Sequence, residues 1–153
     1  MRLYLLRHAH ALEGADDAAR PLSKRGQKQI RALARWLRGN RAFKVLEVWH
    51  SPLVRSHDTA GLLAKRLRLQ VPLVATPGLT PGDDPTPLLR RLRLRQRSLA
   101  IVGHEPHLSA LATLLLTGAT APPVITLKKC SLLALTREDD RWTVSWQINP
   151  DLL

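Results

Sequence analysis

Apolar runs of four or five residues, each bounded by charge or by turn residues, recur at Leu3–Leu6, Val45–Trp49, Val71–Ala75 and Ser98–Val102. Runs of this length without polar alternation predict strands covered on both faces. Between them the spacing of apolar positions becomes helical. Ile30, Leu33, Ala34 and Leu37 share one face of a helix capped by Ser23, running to about Arg38 and stopped by Gly39. A second helix takes Ser51 as its cap and Pro52 as its first residue, and continues through Leu62, Leu63 and Leu67. A third spans about 86–96, and a fourth is opened by Pro106 and closed by Gly118. The Pro- and Gly-rich stretch Thr76–Pro85 reads as a loop at the rim of a cleft. In the last third Val124–Leu127, Leu132–Thr136 and Trp142–Gln147 read as strands, the last two joined by a turn at Arg137-Glu138-Asp139-Asp140. The order of elements predicts an α/β protein, and 153 residues with 44% hydrophobic content fit one domain over residues 1–153.

Bulk properties narrow the classes. Arg2 and Arg7 bracket only four apolar residues, fewer than the roughly 7–15 of a secretory signal. The longest apolar stretch, Leu108–Leu116, is interrupted by Ser109 and Thr113 and falls short of the ~20 residues that cross a bilayer. A soluble, cytoplasmic protein without a membrane partner is expected. Cys130 is the single cysteine, so no intrachain disulfide is available. It is followed by Ser-Leu-Leu-Ala-Leu-Thr, not by the arginine that closes a thiol phosphatase loop, and it reads as a small core residue. The formal charge of +12 speeds encounters with anions. The densest basic group, Arg90, Arg91, Arg93, Arg95 and Arg97, is interleaved with Leu88, Leu89, Leu92 and Leu94. That is the pattern of a solvated helix face, and with 4% aromatic residues there is little to stack on bases. No nucleic-acid partner is expected.

The candidate chemistry lies where strands end. The first strand runs into Arg7-His8, the second into His50-Ser51-Pro52-Leu53-Val54-Arg55, and the fourth into Gly103-His104-Glu105-Pro106. In open α/β sheets ligands bind beyond the carboxyl ends of the strands, so these three junctions point to one place. A neutral imidazole can attack a phosphoryl centre, and a histidine pKa near 6.5 permits neutrality at physiological pH, the more so beside cations. Arg7 and Arg55 offer planar forks to phosphoryl oxygens. His104, at a helix start, can donate to another. Arg20, in the polar loop of residues 12–22 with Asp16 and Asp17, hangs near Arg7 and His8 if the first helix packs beside the first strand. His10, His50, His57 and His107 read as loop or helix-surface residues. The spacings His8-x-His10 and His104-x-x-His107 also permit a metal hydrolase, although acidic residues are sparse nearby and the arginines would repel the ion. A basic binding module is the remaining alternative.

The blocks Leu5-Leu6-Arg7-His8-Ala9, Ser51-Pro52-Leu53-Val54-Arg55-Ser56-His57-Asp58-Thr59 and Val102-Gly103-His104-Glu105-Pro106 resemble the signature of the histidine phosphatase superfamily. Arg20-Pro21-Leu22-Ser23, Leu79-Thr80-Pro81 and Trp146-Gln147-Ile148-Asn149-Pro150 extend the likeness to its SixA-type branch of protein phosphohistidine phosphatases. The resemblance implies a phosphoglycerate mutase-like fold: three layers, with a mostly parallel open sheet and helices on both faces. It implies that His8 accepts the phosphoryl group and water then releases it, with Arg7, Arg55, His104 and Arg20 as phosphate binders and no metal or other cofactor. The implied partner is a phosphohistidine-bearing protein such as a histidine phosphotransfer domain, the alternative being a small phosphate compound. Two departures stand out. Ala9 replaces the commoner glycine, and no carboxylate matches the general acid of larger members, Asp83 and Asp84 being poor candidates. A phosphorylated imidazole leaves as a nitrogen that can already carry its proton, so the missing acid fits phosphohistidine better than an alcohol ester.

Overall fold

The computed structural model describes residues 1–153. Four strands lie parallel, β1 (Arg2–Arg7), β2 (Glu47–His50), β3 (Leu73–Ala75) and β4 (Leu99–Gly103), and two more, β5 (Leu132–Glu138) and β6 (Arg141–Ile148), run as an antiparallel hairpin. They form one sheet in the order β3-β2-β4-β1-β5-β6. Helices α1 (Lys24–Asn40), α2 (Val54–Leu67), α3 (Thr86–Arg93) and α4 (His107–Thr117) complete the chain.

Alternation along β1 divides the core. Leu3 and Leu5 pack with Trp49, Leu99 and Ile101 against Leu88 and Leu92 of α3 and Leu108, Leu111 and Leu115 of α4. Tyr4 and Leu6 point the other way, with Val48, Ala100 and Val102, toward Ile30, Leu33 and Leu37 of α1 and Ala60 and Leu63 of α2. Successive strand residues face opposite sides, so a strand apolar at every position must be covered twice. The result is the expected three-layer α/β/α sandwich. Each fully buried leucine contributes about 1.5–3 kcal/mol relative to exposure, which makes β1 a firmly held strand and a rigid mount for whatever follows it.

Several boundaries differ from the sequence reading. Val124–Leu127 is not a strand. β5 already has β1 and β6 on its two sides, so no edge is free there, and the segment's backbone is satisfied by side chains instead. The Val124 N–H donates to Thr113 Oγ1 (3.1 Å), Gln147 Nε2 donates to the Thr126 carbonyl (2.9 Å), and Arg7 Nη1 donates to the Leu127 carbonyl (2.9 Å). α1 runs through Gly39 and ends at Arg41, whose φ of 50° provides the left-handed stop expected of the glycine. α2 begins at Val54, because Ser51 Oγ takes the Leu53 N–H and remains outside the helix. α3 ends at Arg93, short of 96. The β5–β6 connection is tighter than expected: Asp139 and Asp140 both have positive φ, the two-residue turn that suits hairpin twist.

The basic group of α3 has internal partners. Arg91 and Arg95 lie over the Trp49 ring at 4.2 and 5.1 Å, and Arg95 pairs with Glu47 at 2.7 Å. No helix is long and apolar enough to cross a membrane.

Candidate active site

β1, β4 and β2 are neighbours, and their carboxyl ends bring Arg7, His8, His104 and Ser51 together. Arg7 is in register with Gly103, the His8 N–H donates to the Gly103 carbonyl (2.9 Å), and the Ser51 N–H donates to the Val102 carbonyl (3.0 Å). Arg55 follows in the first turn of α2. His8, Arg55 and His104 are all buried, and the His8 and His104 ring centroids are 5.1 Å apart.

Hydrogen bonding sets the proton on His8. Its Nδ1 lies 2.7 Å from the Ala9 carbonyl, and a carbonyl only accepts, so Nδ1 carries the hydrogen and Nε2 keeps a free lone pair. Burial, then the charges of Arg55, Arg7 and Lys129, lower the pKa to about 4 against the pull of the Ala9 bond. The ring is therefore neutral and nucleophilic at pH 7. His104 is lowered further, to about 3, by burial and then by His8 and Arg55.

Both arginines are held at the tip of the guanidinium. Arg7 Nη1 donates to the Leu127 carbonyl at 2.9 Å; Arg55 Nη1 donates to the Asp17 carbonyl at 2.8 Å and its Nη2 to Asp17 Oδ2 at 3.2 Å. Arg7 Nε, Arg55 Nε and His104 Nδ1 are all buried without a partner. Buried polar nitrogens are nearly always bonded, and leaving one unmade costs about 1–3 kcal/mol. Arg95 Nε, both His107 ring nitrogens and Ser131 Oγ are unpartnered as well; what sets the first three apart is that Arg7 adjoins His8 in the chain, the His104 ring lies 5.1 Å from it and the Arg55 charge acts on it. A concavity of about 650 Å³ lies instead at the other end of the sheet between α3, α4 and Trp142, and contains none of these residues.

The sequence profile of the Histidine phosphatase superfamily (branch 1) matches residues 3–80, a span that includes Arg7, His8 and Arg55. The chain belongs to the histidine phosphatase superfamily. Phosphohistidine phosphatase SixA of Escherichia coli (strain K12) is 29% identical over 155 residues, covering 98% of this chain and 94% of that protein. The structure of the protein histidine phosphatase SixA complexed with tungstate aligns with a TM-score of 0.87 and 26% identity over 99% of each chain. An alpha-ribazole phosphatase from Shigella flexneri shares the fold, with a TM-score of 0.76 at 19% identity over 94% of each chain.

Against this histidine phosphatase frame, the other nominated residues sort differently. Arg20 is committed elsewhere: Nε donates to the Leu12 carbonyl (2.8 Å), Nη1 to Asp17 Oδ1 (3.1 Å), and Nη2 lies 3.8 Å from Glu13. It meets the site through Asp17, which joins it to Arg55. His50 and His107 are buried, contrary to the surface reading, His50 ending β2 and His107 opening α4. His57 is exposed, and His10 is partly buried with Nδ1 2.7 Å from Ser23 Oγ. His8 and His10 thus turn to different partners, and no three histidine, cysteine or acidic side chains gather where they could hold a metal ion. Asp83 accepts from the Thr80 N–H and hydroxyl (2.8 and 2.7 Å), which lower its pKa and bind it to its own loop. Cys130 is buried, its thiol pKa raised by burial.

Sequence reasoning missed Asp17, Ser51 and Ser56 as parts of the site, and Lys129. The Cys130 N–H donates to the carbonyls of Arg7 (3.2 Å) and His8 (3.1 Å), which fastens the Lys128–Ser131 turn beside the nucleophile. No local signal marks Asp17, whose partner Arg55 is 38 residues away, or Lys129.

Proposed function

We propose that this protein is a phosphohistidine phosphatase that works through a phosphoryl intermediate on His8. The observation that carries the reading is the set of unpartnered nitrogens, Arg7 Nε, Arg55 Nε and His104 Nδ1, arranged around an imidazole whose Nε2 is free. His8 Nε2 attacks phosphorus in line as the bond to the substrate imidazole nitrogen breaks; the proton on the substrate ring lets it leave neutral. Water then attacks the phosphohistidine, His8 recovers its lone pair, and orthophosphate departs. Arg7 and Arg55 face the equatorial oxygens as charge moves along the in-line axis, which is where preorganised donors contribute most. Arg20 acts at the rim, sharing the Asp17 carboxylate with Arg55.

The commitments of the nearby carboxylates support the substrate class: Glu105, whose charge reaches Arg7, accepts from the Ser109 N–H and hydroxyl. Asp83 is occupied within its loop, and Asp17 is held ionised by Arg20 and Arg55, so neither is poised to protonate an alkoxide. A nitrogen leaving group needs no such proton donor. The relative called phosphohistidine phosphatase SixA supports the same substrate, a phosphohistidine side chain on a partner protein.

The test compares turnover of a phosphohistidine peptide with that of simple phosphate esters. Preference for the peptide by at least 100-fold in kcat/KM is expected, together with acid-labile label trapped on His8 during turnover and total loss of both in His8→Ala. Equal or better turnover of an ester would replace the proposal with a small-molecule phosphomonoesterase using the same pocket.

A further inference from the structure

Ser51 and Ser56 are completely buried, and their hydroxyl oxygens lie 2.8 and 3.2 Å from one ring atom, His104 Nε2. Ser51 Oγ also accepts the Leu53 N–H at 3.2 Å. No carbonyl or carboxylate oxygen is hydrogen-bonded to either hydroxyl, so the only acceptor offered to their protons is the Nε2 lone pair. With Nε2 as acceptor, Ser51 fills its single lone pair and the Ser56 proton and Nδ1–H are left over, whereas Nε2–H donating to the serines would leave both hydroxyl protons and the Nδ1 lone pair, one more buried group unmatched. A buried neutral imidazole takes the tautomer that leaves fewest donors and acceptors unmatched.

We infer that Ser51, supported by Ser56, is a positioning residue that donates to His104 Nε2 and so holds the neutral ring as the Nδ1–H tautomer, with its hydrogen offered to a phosphoryl oxygen. This rests on the phosphatase reading of the site. It also changes how His104 works there: the ring donates without first becoming a cation. That matters because burial first, and then His8, Arg55 and His107, disfavour a positive charge on His104, while Asp17 favours it. A bare Nδ1 lone pair turned toward the anion would repel it.

Nitrogen-15 histidine spectra of the resting enzyme read the tautomer without any turnover. The Nδ1–H form is expected for His104 in the wild type, and a shift toward Nε2–H in Ser51→Ala, a change that removes one atom and leaves the fold intact by thermal melting. Binding of inorganic phosphate is then expected to weaken about 10-fold or more in Ser51→Ala. The wild-type to variant affinity ratio should shrink as pH falls, since protonating the variant ring restores an Nδ1–H. A wild-type His104 protonated on Nε2, or a Ser51→Ala enzyme that keeps the Nδ1–H form, overturns the inference. Failure of the enzyme to hydrolyse phosphohistidine, with these spectra as expected, would overturn the substrate reading and not the role of Ser51.

Discussion

Asp17 takes both terminal nitrogens of Arg55, its carbonyl accepting from Nη1 at 2.8 Å and its carboxylate from Nη2 at 3.2 Å. The same carboxylate accepts from Arg20 at 3.1 Å. One exposed side chain from a short 3-10 turn therefore holds the tip of a buried arginine that sequence blocks had already nominated, and it does so while placing a negative charge at the mouth of the proposed anion site.

Removing that charge separates the two effects. Asp17→Ala keeps the carbonyl bond to Arg55 and deletes only the carboxylate. Because Asp17 is two-thirds exposed, solvent screens it, and its repulsion of a bound anion is modest. Orthophosphate inhibition is expected to tighten roughly two- to fivefold, the range of an exposed charge interaction, with the gain shrinking in high salt. Weaker inhibition would mean that the carboxylate chiefly orients Arg55.

The nucleophile should titrate far below an ordinary histidine. An NMR titration of the free enzyme is expected to give His8 a midpoint near its lowered value of about 4. Arg55, Arg7 and Lys129 each contribute by disfavouring the imidazolium. Lys129→Ala and Arg55→Ala should therefore move the midpoint upward, with burial, the largest cause, still holding it below 6.5 in both. A midpoint unmoved in Lys129→Ala would show that the lysine's charge does not reach the ring.

What was legible in the sequence, and what was not, follows the range of the physics. The Leu3–Leu6 run is apolar at every position because both faces are covered, and that pattern is local; so are the helical spacing of Ile30, Leu33, Ala34 and Leu37 and the arginine in the first turn after Ser51-Pro52. Val124–Leu127 failed because an apolar run does not say whether a sheet edge is free to receive it. Ser51 was legible as a helix-start residue, but its bond to a histidine 53 positions away is a matter of strand order. His50 and His107 were misplaced for a related reason: their burial depends on which elements cover the strand ends, which no periodicity records. Asp17 belonged to a polar loop whose partner, Arg55, is 38 residues distant.

The same depressed histidines tie stability to pH. His8 and His104 titrate at about 4 and 3 in the folded protein, whereas an unfolded imidazole titrates near 6.5. Between those values the unfolded chain binds protons that the native state refuses, so stability is full above about pH 7 and is lost as pH falls through 6.5 toward 4. Each ring accounts for at most about 3–5 kcal/mol, with their mutual repulsion counted once. Asp17 and Asp83, whose pKa values are lowered from the usual carboxylate range, titrate below this window. Urea midpoints are expected to drop between pH 7.5 and 4.5, and to drop less in His8→Asn; equal slopes in both proteins would remove His8 from the account.

The seating of α1 against the nucleophile's strand can be tested at one glycine. Gly26 lies in the first turn of α1, where its N–H donates to the capping Ser23 Oγ at 3.0 Å. A Cβ there would run into the His10 carbonyl oxygen, a contact with backbone that no rotamer relieves. Alanine offers α1 about 1 kcal/mol of helix propensity, but the overlap forces helix and loop apart. It also strains the bonds that clasp His10, from its N–H to Gln29 Oε1 (2.9 Å) and from its ring to Ser23 Oγ (2.7 Å). Overpacking of this kind costs about 1–3 kcal/mol or more, so Gly26→Ala is expected to lower the melting temperature and, with His10 two residues from His8, to reduce kcat. Gly39, in the last turn of the same helix, has nothing within 4 Å of an added Cβ. Gly39→Ala should therefore collect the propensity gain and raise the melting temperature. Opposite signs at two glycines of one helix would locate the constraint in the contact with His10 and not in the helix itself.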